Sequence, residues 1–361
     1  MLKTTSYRTG VSPLGRRLAC AVRDSSGTPS HTASTLLEVL LATFRADGGA
    51  LFITDPSTTL FSGGAVANLP AGSCSPFFEV EVGSEHARSF ARSAARETGA
   101  SALSRSPSYQ REPLLRQVLE PFGYIDELRV TCLASGVCWG AISLWRRPGD
   151  GCFVAVDEHL LDEVAGQLGE VLRASVVASM TRSAHATRRH GIVVFDSERV
   201  IEVSPEASLL LGLLDTKAVN RYQFLEYLRR RASVDPQVSL LLTSEEGQWF
   251  SADAYPLDSP GCVAVVLSDA TPTDLMKTLI AAAGLTGREV QVALLICRGS
   301  SDADIARSLS ISTHTAQDHV KSIRAKLGVS SRSAIAARLF ADYYFTHLLE
   351  TASIGGRHGT T

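Results

Sequence analysis

No apolar stretch in this 361-residue chain reaches the roughly 18–20 residues that a membrane-spanning helix needs. Its first residues, MLKTTSYRTG, lack the apolar core of a secretory signal, and Arg16-Arg17 is followed by too short an apolar run to direct export. The expected compartment is therefore cytoplasmic, without a membrane partner. Cysteine is sparse and scattered, at positions 20, 74, 132, 138, 152, 262 and 297. No CxxC pair or Cys/His cluster at metal-ligand spacing occurs, so no metal site is expected, and an odd count rules out a complete disulfide framework. The cysteines read as small buried hydrophobes, with a redox sensor as the alternative for any one of them. A Gly-rich phosphate loop, GxSxG, HExxH and an acidic receiver pocket are also missing. The acidic pairs Asp126-Glu127 and Asp157-Glu158 are sequence neighbours, which on a helix do not face each other. Neither an enzyme nor a cofactor is expected.

What is present is the composition of an ordinary globular protein, 45% apolar and 20% charged, at a length that favours two or three domains. The net charge of −2 is unevenly spread. From Leu285 onward nine Lys/Arg stand against six Asp/Glu, which leaves the rest of the chain at −5. A basic end on an acidic body suits a module that meets phosphates.

That basic end reads as four short helices. Thr286-x-x-Glu289 is a capping box, and Val290, Ala293, Leu294 and Cys297 follow at helical spacing until Gly299. Ser301 caps a second helix with Ile305, Ala306 and Leu309 inward. Ser310-Ile311-Ser312 is a tight turn, and the third helix runs to Gly328. At 100° per residue, Ala316, Val320, Ile323 and Leu327 form one buried stripe, while His314, Gln317, Asp318 and Lys321 share the opposite face. Such side chains suit base edges, with Thr313, Thr315, Arg324, Lys326 and Arg332 placed for the DNA backbone.

Leu285-Thr286-x-Arg288-Glu289, Gly299-Ser300, Ile305-Ala306-x-x-Leu309, Ser312-x-x-Thr315, His319, Ile323, Lys326-Leu327-Gly328-Val329 and Arg332 together resemble the LuxR/NarL family of transcription regulators. The resemblance covers about 65 residues without a gap. It implies a third helix that enters the major groove of double-stranded DNA, with Gln317, Asp318 and Lys321 as readers. Two departures from the pattern stand out: Ala316 replaces a larger aliphatic residue, and Asp318 puts an acid among the readers. Asp318 either accepts from a cytosine amino group or weakens phosphate binding. The fourth helix carries Ile335, Ala336, Leu339, Phe340, Tyr343 and Tyr344, more apolar surface than so small a core buries. The resemblance implies a dimer contact there, through Ile335, Leu339, Phe340 and Tyr343; packing on upstream domains is the alternative.

Upstream, GIVVF and RVIEV read as two strands. Helices follow at 205–211, closed by Gly212, and at 221–231, then strands near 238–243, 248–255 and 262–267. GIVVFDSERVIEVSPEASLLLG and the exit Ser268-Asp269-Ala270-Thr271 resemble a PAS domain. Further upstream a helix is expected at 36–46, a strand at 49–54 and a small-residue loop at 62–76, with helical candidates at 85–96 and 113–122. The hairpin LRVTCLASGVCWGAISLWRR turns at 134–136, and Phe153-x-x-x-Asp157-Glu158 then leads into a long helix from Val156 towards His190. This end resembles a GAF domain. In the long helix, Leu161, Val164, Leu168 and Val171 are spaced 3, 4 and 3. Either they form a dimerising seam or they pack on the sheet.

The expected fold is multidomain α+β: GAF-like and PAS-like α/β sensor domains, then an all-α four-helix helix-turn-helix domain. The expected boundaries are a disordered tail at 1–32, the GAF-like domain at 33–180 and the PAS-like domain at 181–274. A connector at 275–284, the DNA-binding domain at 285–350 and a disordered tail at 351–361 complete the chain. Function should be that of a DNA-binding transcription regulator, gated by an unknown small-molecule effector or protein partner and bound to a two-fold operator as a homodimer. RNA polymerase is a further expected partner. The alternative is a protein-interaction regulator with weak DNA binding.

Overall fold

Two five-stranded antiparallel sheets precede the helical C-terminal end. The computed structural model describes residues 12–23, 27–82, 88–180, 189–196, 199–214, 221–235, 238–259 and 261–340. Among them no helix is long and apolar enough to cross a membrane.

The first domain opens with α1 (Pro13–Arg23) and α2 (Pro29–Phe44). Thr28 caps α2, its hydroxyl accepting from the His31 N–H, and Pro29 tolerates the first turn because no N–H is needed there. Then come β1 (Gly48–Thr54), β2 (Phe61–Ala67), α3 (Cys74–Val82), α4 (Phe90–Ala95) and the two-residue β3 (Ser101–Ala102). After short 3-10 and π turns, β4 (Asp126–Ala134) and β5 (Val137–Arg146) form a hairpin that leads to α5 (Ala155–Met180). The sheet order is β2-β1-β5-β4-β3. Ser135 and Gly136 both take positive φ, the signature of a two-residue hairpin turn.

Alternation along the strands divides the side chains between two faces. Leu51, Ile53, Leu128, Val130, Trp139, Ile142 and Leu144 pack under α2 and α5, while Phe52, Ala141 and Trp145 join the aromatic cluster of Phe61, Phe77 and Phe78 on the other face. Leu161, Val164 and Leu168 belong to the first set and are fully buried, with Val171 partly buried beside them. The seam read as a candidate dimer contact is therefore spent inside the chain, because the sheet supplies the apolar partner it needs.

Two further expectations change here. Residues 13–23, placed in a disordered tail, form α1, whose Leu14 and Leu18 are buried against α2 and α5. The small-residue stretch at 62–76 is strand β2 for its first half, not loop. A Cβ at Gly64 would lie 2.2 Å from the Leu51 carbonyl oxygen, so glycine permits the pairing with β1.

The second domain repeats the arrangement with β6 (His190–Phe195), β7 (Val200–Val203), α6 (Pro205–Leu214), α7 (Arg221–Val234), β8 (Val238–Thr243), β9 (Trp249–Pro256) and β10 (Val263–Asp269). Its order, β7-β6-β10-β9-β8, matches the first sheet strand for strand. Helix α6 runs through Gly212 rather than ending there. The two domains interlock: Tyr227 of α7 is buried, stacks on Phe61 at 5.4 Å and accepts from the Phe61 N–H. Trp249 donates to Ser179 at the end of α5 (3.0 Å), and the Leu241 N–H donates to Asp55 (3.2 Å).

The exit motif is built from pairs. Arg189, at the entry of the second sheet, forks onto Asp269 at its exit (2.6 and 3.0 Å). Thr271 and Asp274 cap α8 (Pro272–Ala282) reciprocally, each side chain accepting the other's N–H. The connector is thus helical, and it docks back: Arg173 of α5 donates to the Ala282 carbonyl at 2.8 Å. Four helices finish the described chain: α9 (Gly287–Cys297), α10 (Asp302–Leu309), α11 (Thr313–Leu327) and α12 (Arg332–Phe340).

Helix α5 offers a paired test. A Cβ at Gly169 would sit 2.6 Å from the Leu133 carbonyl oxygen, whereas one at Gly166, on the exposed face, meets nothing within 4 Å. Helix propensity alone favours alanine at both sites by up to about 1 kcal/mol. Gly166→Ala should stabilise by that order, and Gly169→Ala should destabilise by ~1–3 kcal/mol because the backbone cannot give way. Denaturant unfolding of both variants measures it; equal effects would refute the close packing of α5 on β4.

Candidate nucleic-acid interface

Each end of α9, α10 and α11 is set by the residue at that end. Thr286 and Glu289 satisfy each other's backbone N–H groups before α9, Ser301 and Asp304 do the same before α10, and Ser312 accepts from the Thr315 N–H before α11. Helix α10 ends at Ser310, in the left-handed region at φ 53°, and α11 ends at Gly328 at φ 65°. A non-glycine residue at positive φ is uncommon, and here it reverses the chain within three residues. Ile305, Ala306, Ala316, Val320 and Ile323 then close a small core with Val292, Ala293 and Ile296 of α9 and Ile335 of α12. Ile335, placed by sequence at a dimer contact, is fully buried in that core instead. Leu339 is partly buried against it; Tyr343 and the side chain of Phe340 lie outside the described residues.

The opposite side of α11 is open. His314, Gln317, Asp318 and Lys321 are all exposed and fall on one face, with Thr313 and Thr315 exposed at its N-terminal end. His314 and Asp318 are bridged at 3.0 Å one turn apart, so the acid among the expected readers already has a local partner. Lys321 has no such partner among the described residues and is the cation of this face. Thr315 shares a hydrogen bond with the Ser312 hydroxyl at 2.8 Å.

Three cations placed for DNA phosphates hold the domain together instead. Lys326 donates to Glu289 at 2.7 Å, Arg324 to the Ser330 carbonyl, and Arg332 to Asp302 and the Ser300 carbonyl. Arg288 likewise reaches the Leu309 carbonyl at the end of α10. A positive residue type announces a charge but not its partner, so sequence alone left these assignments open.

The residue this explains is Glu289. It is 4% exposed, and its carboxylate accepts from the Thr286 N–H (2.6 Å), the Ser322 hydroxyl (2.6 Å) and the Lys326 ammonium (2.7 Å). Burial alone would raise its pKa, but these hydrogen bonds outweigh it and hold the pKa down from 4.5 to about 2. The sequence showed only its capping role. The clue to the rest was Ser322 and Lys326, four residues apart on α11 and facing back.

Against known proteins, residues 283–339 match the family model of bacterial regulatory proteins, luxR family. No curated protein matches the chain. Among solved structures, SdiA in complex with octanoyl-rac-glycerol is similar at 14% identity, over 92% of this chain and 95% of that one, with a TM-score of 0.35. The GAF domain of a phosphoenolpyruvate-protein phosphotransferase from Coxiella burnetii is similar at 16% identity, over 46% of this chain and 92% of that one, with a TM-score of 0.32. The Vibrio cholerae VqmA dimer is similar at 19% identity, over 44% and 83% of the two chains, with a TM-score of 0.18.

The depressed pKa makes a signed prediction. A carboxylate held down in the fold contributes stability above its unfolded pKa, and that contribution fades as pH falls from about 5 towards 2. At pH 7, Glu289→Gln should cost the C-terminal domain ~2–3 kcal/mol. The gap between wild type and variant should close on acidification. A gap that stays constant from pH 7 to pH 3 would contradict the anchoring role.

Proposed function

We propose that this chain, whose residues 283–339 form a LuxR-family DNA-binding domain, is a sequence-specific transcription regulator gated by its two sheet domains. The observation that carries the reading is the geometry of α11: one face buried through Ala316, Val320 and Ile323, the other presenting Gln317 and Lys321 clear of the core. In the major groove, Gln317 suits an adenine edge and Lys321 a guanine edge. The bridge to His314 leaves one Asp318 oxygen for a cytosine amino group, and Thr313 and Thr315 face the backbone. A homodimer formed through Leu339, Phe340 and Tyr343 presents two such helices to a two-fold operator.

Gating follows from the linkage between the sheets and the DNA-binding end. Arg189–Asp269 fixes where the second sheet ends, Thr271 starts α8 there, and Arg173 holds the end of α8 against α5. An effector or partner that reshapes either sheet domain shifts α8 and with it the presentation of the two heads.

Selection of duplexes from a random DNA pool at fixed physiological salt tests the reading. Full-length protein should enrich a two-fold motif, and the Gln317→Ala, Lys321→Ala double variant should lose it. Enrichment by residues 272–361 but not by the full chain would place the sheet domains in control of access. No motif from either would favour the protein-interaction reading and defeat this one.

A further inference from the structure

We propose that the first domain carries a second anion site, a groove at its sheet edge that binds a phosphate-bearing small molecule, the effector class for the gating proposed above, on which the word effector rests. The groove has a volume of ≈ 480 Å³, and four arginines line it: Arg92 of α4, Arg88 just before that helix, Arg96 at its C-terminal cap, and Arg105 from beyond β3. One carboxylate, Glu158, lines it with them. It is already engaged, accepting from Arg105 at 2.9 Å and from the Ala102 N–H at 2.8 Å. Nearby Asp162 accepts from the Ala100 N–H.

Arg88 forms the back of the groove. Its guanidinium spends two N–H groups on the Ala102 and Ser101 carbonyls (3.1 and 3.2 Å), and its Nε is buried without a partner. Burial and the neighbouring Arg129 both push its pKa down, so the protein itself disfavours this accumulated charge. Arg96, exposed at the other end of α4, has no ion-pair partner among the described residues. Guanidinium groups gathered in one groove repel each other, and a bound anion lowers that cost. Guanidinium forks match phosphate oxygens two at a time, whereas the hydroxyls of Ser93, Thr98 and Ser106 on the same walls already donate to the Arg88 carbonyl, the Ser93 carbonyl and Glu112. The volume suits a mononucleotide-sized molecule. The lining is too polar for an apolar ligand, unlike the space beside Phe52, Phe77 and Phe78.

Position connects the groove to output. Glu158 and Asp162 lie in the first two turns of α5, the helix whose other end holds α8 through Arg173. An anion that draws Arg105 away from Glu158 loosens a tie between the sheet edge and α5.

Titration calorimetry of the full-length protein with inorganic pyrophosphate at fixed ionic strength tests the proposal. One site per chain is expected, weakened about tenfold or more by Arg96→Gln with Arg105→Gln. Both side chains are exposed, so an unchanged melting temperature is expected for this variant. Arg230→Gln, whose arginine pairs with Glu226 and Glu79 on α7 and α3, should bind as wild type does. No binding at millimolar pyrophosphate, or equal binding by the double variant, overturns the site. Loss of pyrophosphate binding in the Gln317→Ala, Lys321→Ala variant instead would place the anion on α11 and overturn it too. If the arginine double variant loses affinity for duplex DNA at the same salt, the phosphate belongs to nucleic acid and the small-molecule assignment fails. Failure of DNA selection would leave the pyrophosphate result standing, so the two readings fail separately.

Discussion

A single carboxylate buried between two helices sets the geometry of the C-terminal domain. Glu289 begins α9, yet its carboxylate is held by Thr286 before the helix and by Ser322 and Lys326 on α11. An ionised group taken out of water is costly unless it is fully paired. Here the pairing spans the one distance that matters, from the helix that anchors the domain to the helix that projects from it. The apolar contacts of Ile305, Ala316 and Ile323 permit α11 some sliding and rolling; the directional bonds to Glu289 do not. The exposed row from His314 to Lys321 therefore leaves the domain at a defined angle.

The two sheet domains share a strand order, but they use it differently. The first encloses its core on both faces with α2 and α5 on one side and a cluster of phenylalanines on the other. The second spends part of its surface on the first: Tyr227, Leu241 and Trp249 all reach across to it. Both then converge on α8, the second through Thr271 at its start and the first through Arg173 at its end. A helix gripped at both ends by different domains is an economical place to combine two inputs, because a shift in either domain reaches the same few residues.

How much of this could be read from sequence depended on whether a residue acts locally. Thr286, Ser301, Ser312 and Gly328 cap their own helices, so they announced those boundaries, and the period-2 strands of the second domain were legible for the same reason. The exposed face of α11 was also legible, because its complement is a clean apolar stripe. Residues whose meaning depends on a distant partner were not. Leu161, Val164 and Leu168 have the same spacing whether they meet a second helix or a sheet, and β4 and β5 decided it. Lys326 and Arg332 carry the charge a phosphate needs, yet Glu289 and Asp302 claim it first. The glycines of β2 read as loop because only the approach of β1 reveals why no side chain fits there.

The central claim is that α11, and not the sheet domains, meets DNA. Hydrogen exchange on the full-length protein, with and without a random-sequence duplex at low ionic strength, tests it most directly. Protection confined to the turn after α10 and to α11, residues 310–328, is the predicted result. Protection that falls only on the two sheet domains, with α11 exchanging as it does in free protein, would contradict it.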